Sequence, residues 1–518
     1  MRLFFLTRTF LLTLLLLVCG NLNATKYFIS PNGSDGYSGT SERPWKTLSY
    51  ASTRVVSGDV IQFVNGIFPY DENVSYIPAG VNIEGYPGKT ILIRPRIVFM
   101  GIGGDQHISG IVFDGDNVPN HNAILILHRS HIRITNCKFI NFKDGNLYYA
   151  SNEYKYAIEM RWTHDIEIDN NILECGIRSL YDNRNLNIHH NNIGKPVMNT
   201  EPEIGIYLCD VDYVRIWNNK FKNLATFIEF SSFGETKLFN IYVFCNLMIN
   251  SGVSSPDKWG YGCGVDFAGT TKGIVRNINI VNNTIVGEPD DRYTMIGIFL
   301  PSVNNAKQIT IINNIIFGFQ YASIFGAGEG TKIDSIIVES NILYGNAVKD
   351  RTYAPNNLPF FPDMRKPTNS IQRENIIEDP EFVGNGDYHL KTSSPGIGIG
   401  ISVEWIDSYL DGDKYFGLIN IGAYNGYPET DPIPNYDPND GLFIYPVPVD
   451  DNITVIVTDP DFTPTQLRIY DMNGREILYI RMTSETILNY PVNLLPGIYL
   501  VKVTNDNNNI LVKKIVTK

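Results

Sequence analysis

Seven short stretches of this chain can set chemistry in a line. Their third residues read Leu125, Glu159, Arg178, Tyr207, Glu229, Asp266 and Phe299. In Ala157-Ile158-Glu159-Met160-Arg161 and Phe227-Ile228-Glu229-Phe230-Ser231, period-two alternation turns the second and fourth residues inward and the third outward. If such strands stack in register, successive third residues lie about 4.8 Å apart. Glu159, Arg178, Tyr207, Glu229 and Asp266 then form one surface row. Glu229 and Asp266 fall about 5 Å apart, the carboxyl separation of a retaining glycosidase. One would be the nucleophile and the other the acid/base, with like charges raising one pKa. Tyr207 offers a flat face for a sugar ring. Glu159, Arg178 and Arg161, one outward step beyond Glu159, can grip hydroxyl and uronate groups. His128 lies near the same edge. The same residues also suit an ordinary solvated face, or a glycan-binding face without turnover. A one-residue slip in register would turn them all inward.

The element that must position this row is a repeat. The phrase Ile-x-x-Asn-x-apolar recurs with asparagines at 171, 191, 219, 246, 283, 314 and 341, spaced 20, 28, 27, 37, 31 and 27 residues apart. Cys137 and Ile111 hold the equivalent place in two earlier copies. A period of this size with short strands in each unit predicts a solenoid whose units bury their apolar faces on one another. The expected fold is all-β: a right-handed parallel β-helix followed by a small C-terminal β-sandwich. The asparagines read as a structural ladder, bonding to each other and to the backbone at a turn, and not as ligands.

The chain has 518 residues, 43% hydrophobic and 19% charged, with a formal net charge of -12. That supports more than one domain and argues against nucleic acid or an anionic membrane as partner. Arg2 and Arg8 precede an apolar run from Phe10 to Val18, so residues 1–24 read as a signal peptide, too short to span a bilayer. Cys19 raises a lipid-anchored alternative, against which Val18 stands where a small residue is wanted. No later stretch reads as transmembrane. The other five cysteines are odd in number and widely spaced, which predicts buried thiols and neither disulfides nor a zinc site. The histidines do not converge in the sequence. Asp210-Val211-Asp212 and Glu288-Pro289-Asp290-Asp291 read as solvated loop clusters.

Residues 25–100 read as a capping segment with the first coils. A helix-like stretch up to Val56 covers the open end, which would otherwise expose core and unpaired backbone. Residues 101–425 are the β-helix, with repeats to residue 345 and closing turns from 346. The opening Phe28…Asp35, Gly39-Thr40, Pro44, Thr47, Gly58-Asp59, Gly66 and Phe68 resembles the start of extracellular pectate-lyase-like β-helix proteins. Asp379-Pro-Glu-Phe-Val383, Gly386-Asp-Tyr-His-Leu390, Ser394-Pro-Gly396 and Asn420-Ile-Gly-Ala-Tyr424 resemble their ending. That resemblance implies a second mechanism. Glu229 and Asp266 would hold Ca²⁺ against a uronate, and Arg178 or Arg161 would neutralise its carboxylate or take its α-proton. Arginine is a demanding base because its ordinary pKa is above about 12, so Lys155 and His128 are substitutes.

Residues 426–441 form a Pro/Asp-rich linker. Residues 442–518 read as short alternating strands with turns. Tyr445-Pro446-Val447-Pro448, Leu467-Arg-Ile-Tyr-Asp-Met-Asn-Gly474, Leu495-Pro-Gly-Ile-Tyr-Leu500 and Lys513-Lys-Ile-Val516 resemble, in order, the motifs of the type IX secretion sorting domain. Val447 departs from that pattern, which has Asn. The resemblance implies the type IX machinery as partner and a protein secreted from, or attached to the outer surface of, a Gram-negative bacterium. An extracellular polysaccharide is the expected partner, bound and cleaved by lyase or glycosidase chemistry. The alternative is a non-catalytic adhesin or structural solenoid.

Overall fold

The structure is a computed structural model. It describes residues 24–118, 122–142, 156–195, 204–231, 237–251, 262–267, 273–287, 294–301, 306–319, 322–326, 333–345, 368–415, 419–425, 441–445, 452–457, 462–471, 474–482, 487–492, 494–495, 497–507 and 509–517. The expected leader with Cys19, Lys155, the Glu288–Asp291 cluster, most of the linker and the Pro446–Pro448 motif lie outside them. The chain divides into two compact units, Met1–Tyr415 with Ile419–Gly426, and Phe416–Leu418 with Tyr427–Lys518.

Three parallel sheets wind through the first unit. Among the described residues, sheet I has 13 strands from Lys26–Ile29 to Thr368–Arg373, sheet II has 11 from Gly66–Phe68 to Ile342–Tyr344, and sheet III has 10 from Ser75–Ile77 to Ala322–Phe325. One turn of the winding runs His164–Asp169 (I), Ile172–Leu173 (II), Gly176–Leu180 (III), then Asn183–His189 (I), which pairs in parallel with His164–Asp169. This is a parallel β-helix. Its core is built by β-branched residues repeating in register. Ile168, Ile188, Ile216, Val243, Ile280 and Ile311 form one buried column on sheet I. Rings at equivalent places stack from rung to rung, as Phe113 does on Phe139 at 4.6 Å.

The asparagine ladder stands at the turn from sheet I to sheet II. Asn246 Oδ1 accepts from the backbone N–H and the Nδ2 of Asn219, both at 3.0 Å. Its own Nδ2 donates to Ile216 O at 2.8 Å, to Phe244 O at 3.0 Å and to Asn283 Oδ1 at 2.9 Å. The ladder also takes in Asn375, one rung beyond the last copy read from the sequence. Cys137 enters through its backbone, donating to Asn171 Oδ1 at 2.9 Å. The residue before each ladder asparagine is left-handed, with φ of 55° at Asn170, 52° at Asn218, 51° at Asn282 and 56° at Asn313. Asparagine tolerates that region better than most side chains, which accounts for the repeated Asn-Asn doublets. Asn246→Ala orphans several buried partners at about 1–3 kcal/mol each. A loss on the order of 3 kcal/mol is expected, read as a lower urea midpoint of the full chain.

The entry helix is shorter than the sequence suggests, spanning Leu48–Ser52. Thr47 caps it by accepting from Tyr50 N, and Asp35 fixes the approach by accepting from Lys46 N and Thr47 N. Leu48, Ala51, Trp45 and Val55 seal the open end of the core. Thr368–Arg373 adds the last rung of sheet I. The chain beyond it then runs back along the outside. Ile406, Tyr409, Tyr415 and Ile419 pack on Phe244, Val281 and Ile312 of sheet I, while Leu390 and Ile421 pack on Ile315 and Ile342 of sheet II. Asn282 Nδ2 donates to Asn420 O and Gly422 O, so the left-handed turn residues also fasten this strap.

The second unit has two antiparallel sheets. One orders Leu442–Tyr445, Asn452–Val457 and Ile487–Pro491; the other orders Glu476–Arg481, Pro464–Asp471, Gly497–Asn505 and Ile510–Thr517. Ile453, Val455, Leu467, Ile469, Val501, Val503 and Ile515 form a separate core. This is the expected small β-sandwich.

Candidate active site

The row read from the sequence exists in register on sheet III. Leu125 pairs with Glu159, Glu159 with Arg178, Arg178 with Tyr207, Tyr207 with Glu229, Glu229 with Asp266, and Asp266 with Phe299. Its neighbours Ile158, Met160, Ile228, Phe230 and Val265 point into the core. Ala157, Gly205, Phe227, Gly264 and Gly297, each just before such a pair, also face inward, and all but Phe227 are glycine or alanine. A Cβ on Gly264 would come 2.3 Å from Gly297 O and 2.5 Å from Ile285 Cγ2, and one on Gly205 would come 2.7 Å from Phe227 O. Glycine there lets the rungs close to strand spacing and so keeps the outward side chains about 4.8 Å apart.

The row is not the open stripe that the sequence suggests. Glu159, Arg178 and Tyr207 are only 2%, 5% and 7% exposed. The reason is a second apolar layer on the outer face. Tyr156, Leu180, Tyr207 and Cys209 pack together there. Arg178 lies between two rings, its Cζ 5.6 Å from the Tyr156 centroid and 5.8 Å from that of Tyr207. Glu159 accepts from Asn122 Nδ2 at 2.8 Å and forms an ion pair with the half-exposed Arg161. The lower half of the row is thus a packed platform. Glu229 and Asp266, one and two rungs above Tyr207, keep partial exposure.

Electrostatics single out the acidic pair. Burial, reinforced by the charge of Asp266, pushes the Glu229 carboxyl up to about 8. Glu229 therefore holds its proton at neutral pH. Asp169 on sheet I shows the opposite case. Burial opposes its charge, but Arg133, Thr135 and Asn170 bond to it and hold its carboxyl below the ordinary value. Arg133 meets it through two hydrogen bonds of 2.8 Å. Burial raises the phenol of Tyr207 and the thiol of Cys263, so neither is a nucleophile at neutral pH. All five described cysteines are buried.

Residues 443–518 match the family model described as the secretion system C-terminal sorting domain. The chain ends in a type IX sorting domain. It is a secreted or cell-surface protein of a Gram-negative bacterium. Among the described residues no helix is long and apolar enough to cross a membrane. A stretch of 107 residues is 26% identical to the uncharacterized protein YwoF of Bacillus subtilis (strain 168), covering 20% of this chain. The match spans about a fifth of that protein's length. Among solved structures, XylC in complex with xylose aligns over 77% of this chain and 98% of its own at 11% identity, with a TM-score of 0.41. Pectate lyase Pel9A aligns over 79% and 98% at 13% identity, with a TM-score of 0.38. A rhamnogalacturonan lyase aligns over 70% and 91% at 12% identity, with a TM-score of 0.32.

The row remains the candidate constellation among the described residues. His128 does not join it. It stacks on Trp162 at 4.8 Å, and Trp162 stacks on Tyr181 at 4.8 Å, at the turn beyond sheet III. Sequence reasoning missed Tyr156 and Asn122. Tyr156 precedes the small inward residue, where a strict alternation of two does not count it as outward. Asn122 comes from a neighbouring coil and carries no spacing signal. A groove of about 590 Å³, lined by Asn240, Arg276, Asn277, Gln308 and Ser335, lies on sheet I away from the row.

Proposed function

We propose that this protein hydrolyses an extracellular polysaccharide at Glu229 and Asp266. The observation that carries the reading is a pair of carboxyls on consecutive rungs, one of which keeps its proton at neutral pH. Glu229 is the general acid, protonating the glycosidic oxygen as the bond breaks. Asp266 is the carboxylate on the opposite side of the reacting carbon, at the separation of about 5 Å that suits a nucleophile. The glycosyl–Asp266 bond formed in the first step is then broken by water. Glu229 takes the water's proton and so returns to its acid form. Arg161, held by the buried Glu159, reaches the next sugars, and Arg178 sets the buried Tyr207 within the packed platform beneath.

The lyase-like alternative asks Glu229 and Asp266 to hold Ca²⁺ as two carboxylates. An ion would first have to displace the Glu229 proton, so the pair suits acid–base work better than a cation. Arg178, held between two rings, is poorly placed to abstract a proton. The test is incubation of the full chain with a panel of neutral and uronate-containing glycans. New reducing ends without an unsaturated product, unchanged by EDTA, are expected. Unsaturated uronate products that vanish with EDTA would select the lyase reading. Retention on immobilised glycan without any product would select binding alone.

A further inference from the structure

We propose that His131, His164 and Asp165 form a binding site for a divalent transition metal of the Zn²⁺ class, at the corner where sheet III passes into sheet I. Their ligand atoms all lie within 4.8 Å of one another. His131 is far in sequence from the adjacent His164 and Asp165 and meets them only through the winding, because the rung of His131 stacks on that of His164, with Ser130 paired to His164. His164 Nδ1 is 2.6 Å and His131 Nε2 is 3.5 Å from the same Asp165 oxygen, Oδ2. A tetrahedral ion with bonds of about 2.0–2.1 Å spaces its ligands at about 3.4 Å. Small side-chain rotations reach that geometry from the positions seen.

Surrounding groups aim two of the three donors at a common point. Ser130 Oγ sits 3.0 Å from His131 Nδ1, which leaves Nε2 for the shared centre. Asn185 Nδ2, one rung further on, donates to Asp165 Oδ1 and leaves Oδ2 for the same centre. Metal-binding imidazoles and carboxylates are commonly held by such partners on their second atom. The backbone is fixed as well. His131, Asp165 and Asn185 share a left-handed bulge, with φ of 51°, 56° and 50°. The two imidazoles meet edge to face at 81°, whereas Trp162 and Tyr181 on adjacent rungs stack within 14°. Both histidine side chains are 55% exposed, so an ion can enter and keep a water in its fourth position. Two nitrogens and one oxygen suit Zn²⁺, Ni²⁺ or Cu²⁺ and not Ca²⁺ or Mg²⁺.

The test uses the full chain stripped with EDTA. Titration with Co²⁺ is followed by its visible d–d bands, and titration with Zn²⁺ by calorimetry. Saturation at one equivalent is expected, with tetrahedral Co²⁺ bands that Zn²⁺ displaces. His131→Ala, His164→Ala and Asp165→Asn should each weaken binding by about tenfold or more, with circular dichroism unchanged because all three sites are at the surface. Absence of saturable binding in the wild type would overturn the proposal. So would unchanged binding in the H131A/H164A double variant, which would put the ion elsewhere, for instance at His189 and His190.

Discussion

Glu229→Gln and Asp266→Asn are each expected to lower hydrolysis of a cleaved glycan by about 10³-fold, within the range general acid–base groups supply. Glutamine keeps the shape of Glu229 but cannot give a proton to the leaving oxygen. Asparagine keeps the shape of Asp266 but cannot attack or balance a developing positive charge. Glu229 is neutral at pH 7 in the folded wild type, so Glu229→Gln changes no charge in the folded state, but it removes the ionisation of the unfolded chain and should raise the unfolding midpoint at neutral pH. Arg161→Ala should act differently, raising KM more than it lowers kcat, because the half-exposed guanidinium is placed to meet sugars beyond the reacting bond. Activity of the wild type should fall as pH rises through about 8, where Glu229 loses its proton. Wild-type rates in both carboxyl variants would remove this pair from the reaction.

The second large effect is on stability. The ordinary value for the Glu229 carboxyl is 4.5, and the folded chain raises it to about 8. A raised carboxyl means that the folded state binds the proton more tightly than the unfolded state does. The associated stability is fully present below about pH 4.5 and is lost as pH rises through about 8. The wild type should therefore lose up to about 5 kcal/mol relative to Glu229→Gln between those limits. Urea midpoints measured for both chains from pH 4.5 to 9 give the difference directly, since all other titrating groups are common to them. Glu229→Gln should match the wild type at the acid end and exceed it at the alkaline end. Asp266→Asn should remove only part of the slope, because burial is the larger cause of the shift and the Asp266 charge the smaller. Parallel curves for wild type and Glu229→Gln would mean that Glu229 is charged and solvated, and the acid assignment would fall with it.

The winding and the register of the row were legible in the sequence because both are local patterns repeated. Ile-x-x-Asn marks one fixed place on each rung, and alternation of two assigns each strand residue to a face. From these alone Glu159, Arg178, Tyr207, Glu229 and Asp266 fall in line. The sorting domain was legible for a similar reason, since its motifs keep their order. What alternation could not supply was the environment of that line. Whether an outward side chain meets water depends on what other coils place over it, and Tyr156, Leu180 and Cys209 turn half of the expected stripe into a packed platform. The proton on Glu229 follows from that burial together with Asp266. The His131, His164 and Asp165 cluster and the returning strap over Phe244, Val281 and Ile312 belong to the same class. The sequence by itself determined which residues share a rung position, because hydrophobic periodicity is a one-dimensional property. Only the tertiary structure decided which of them are buried, charged or brought within bonding distance, because desolvation and Coulomb interactions depend on neighbours that the chain order does not reveal.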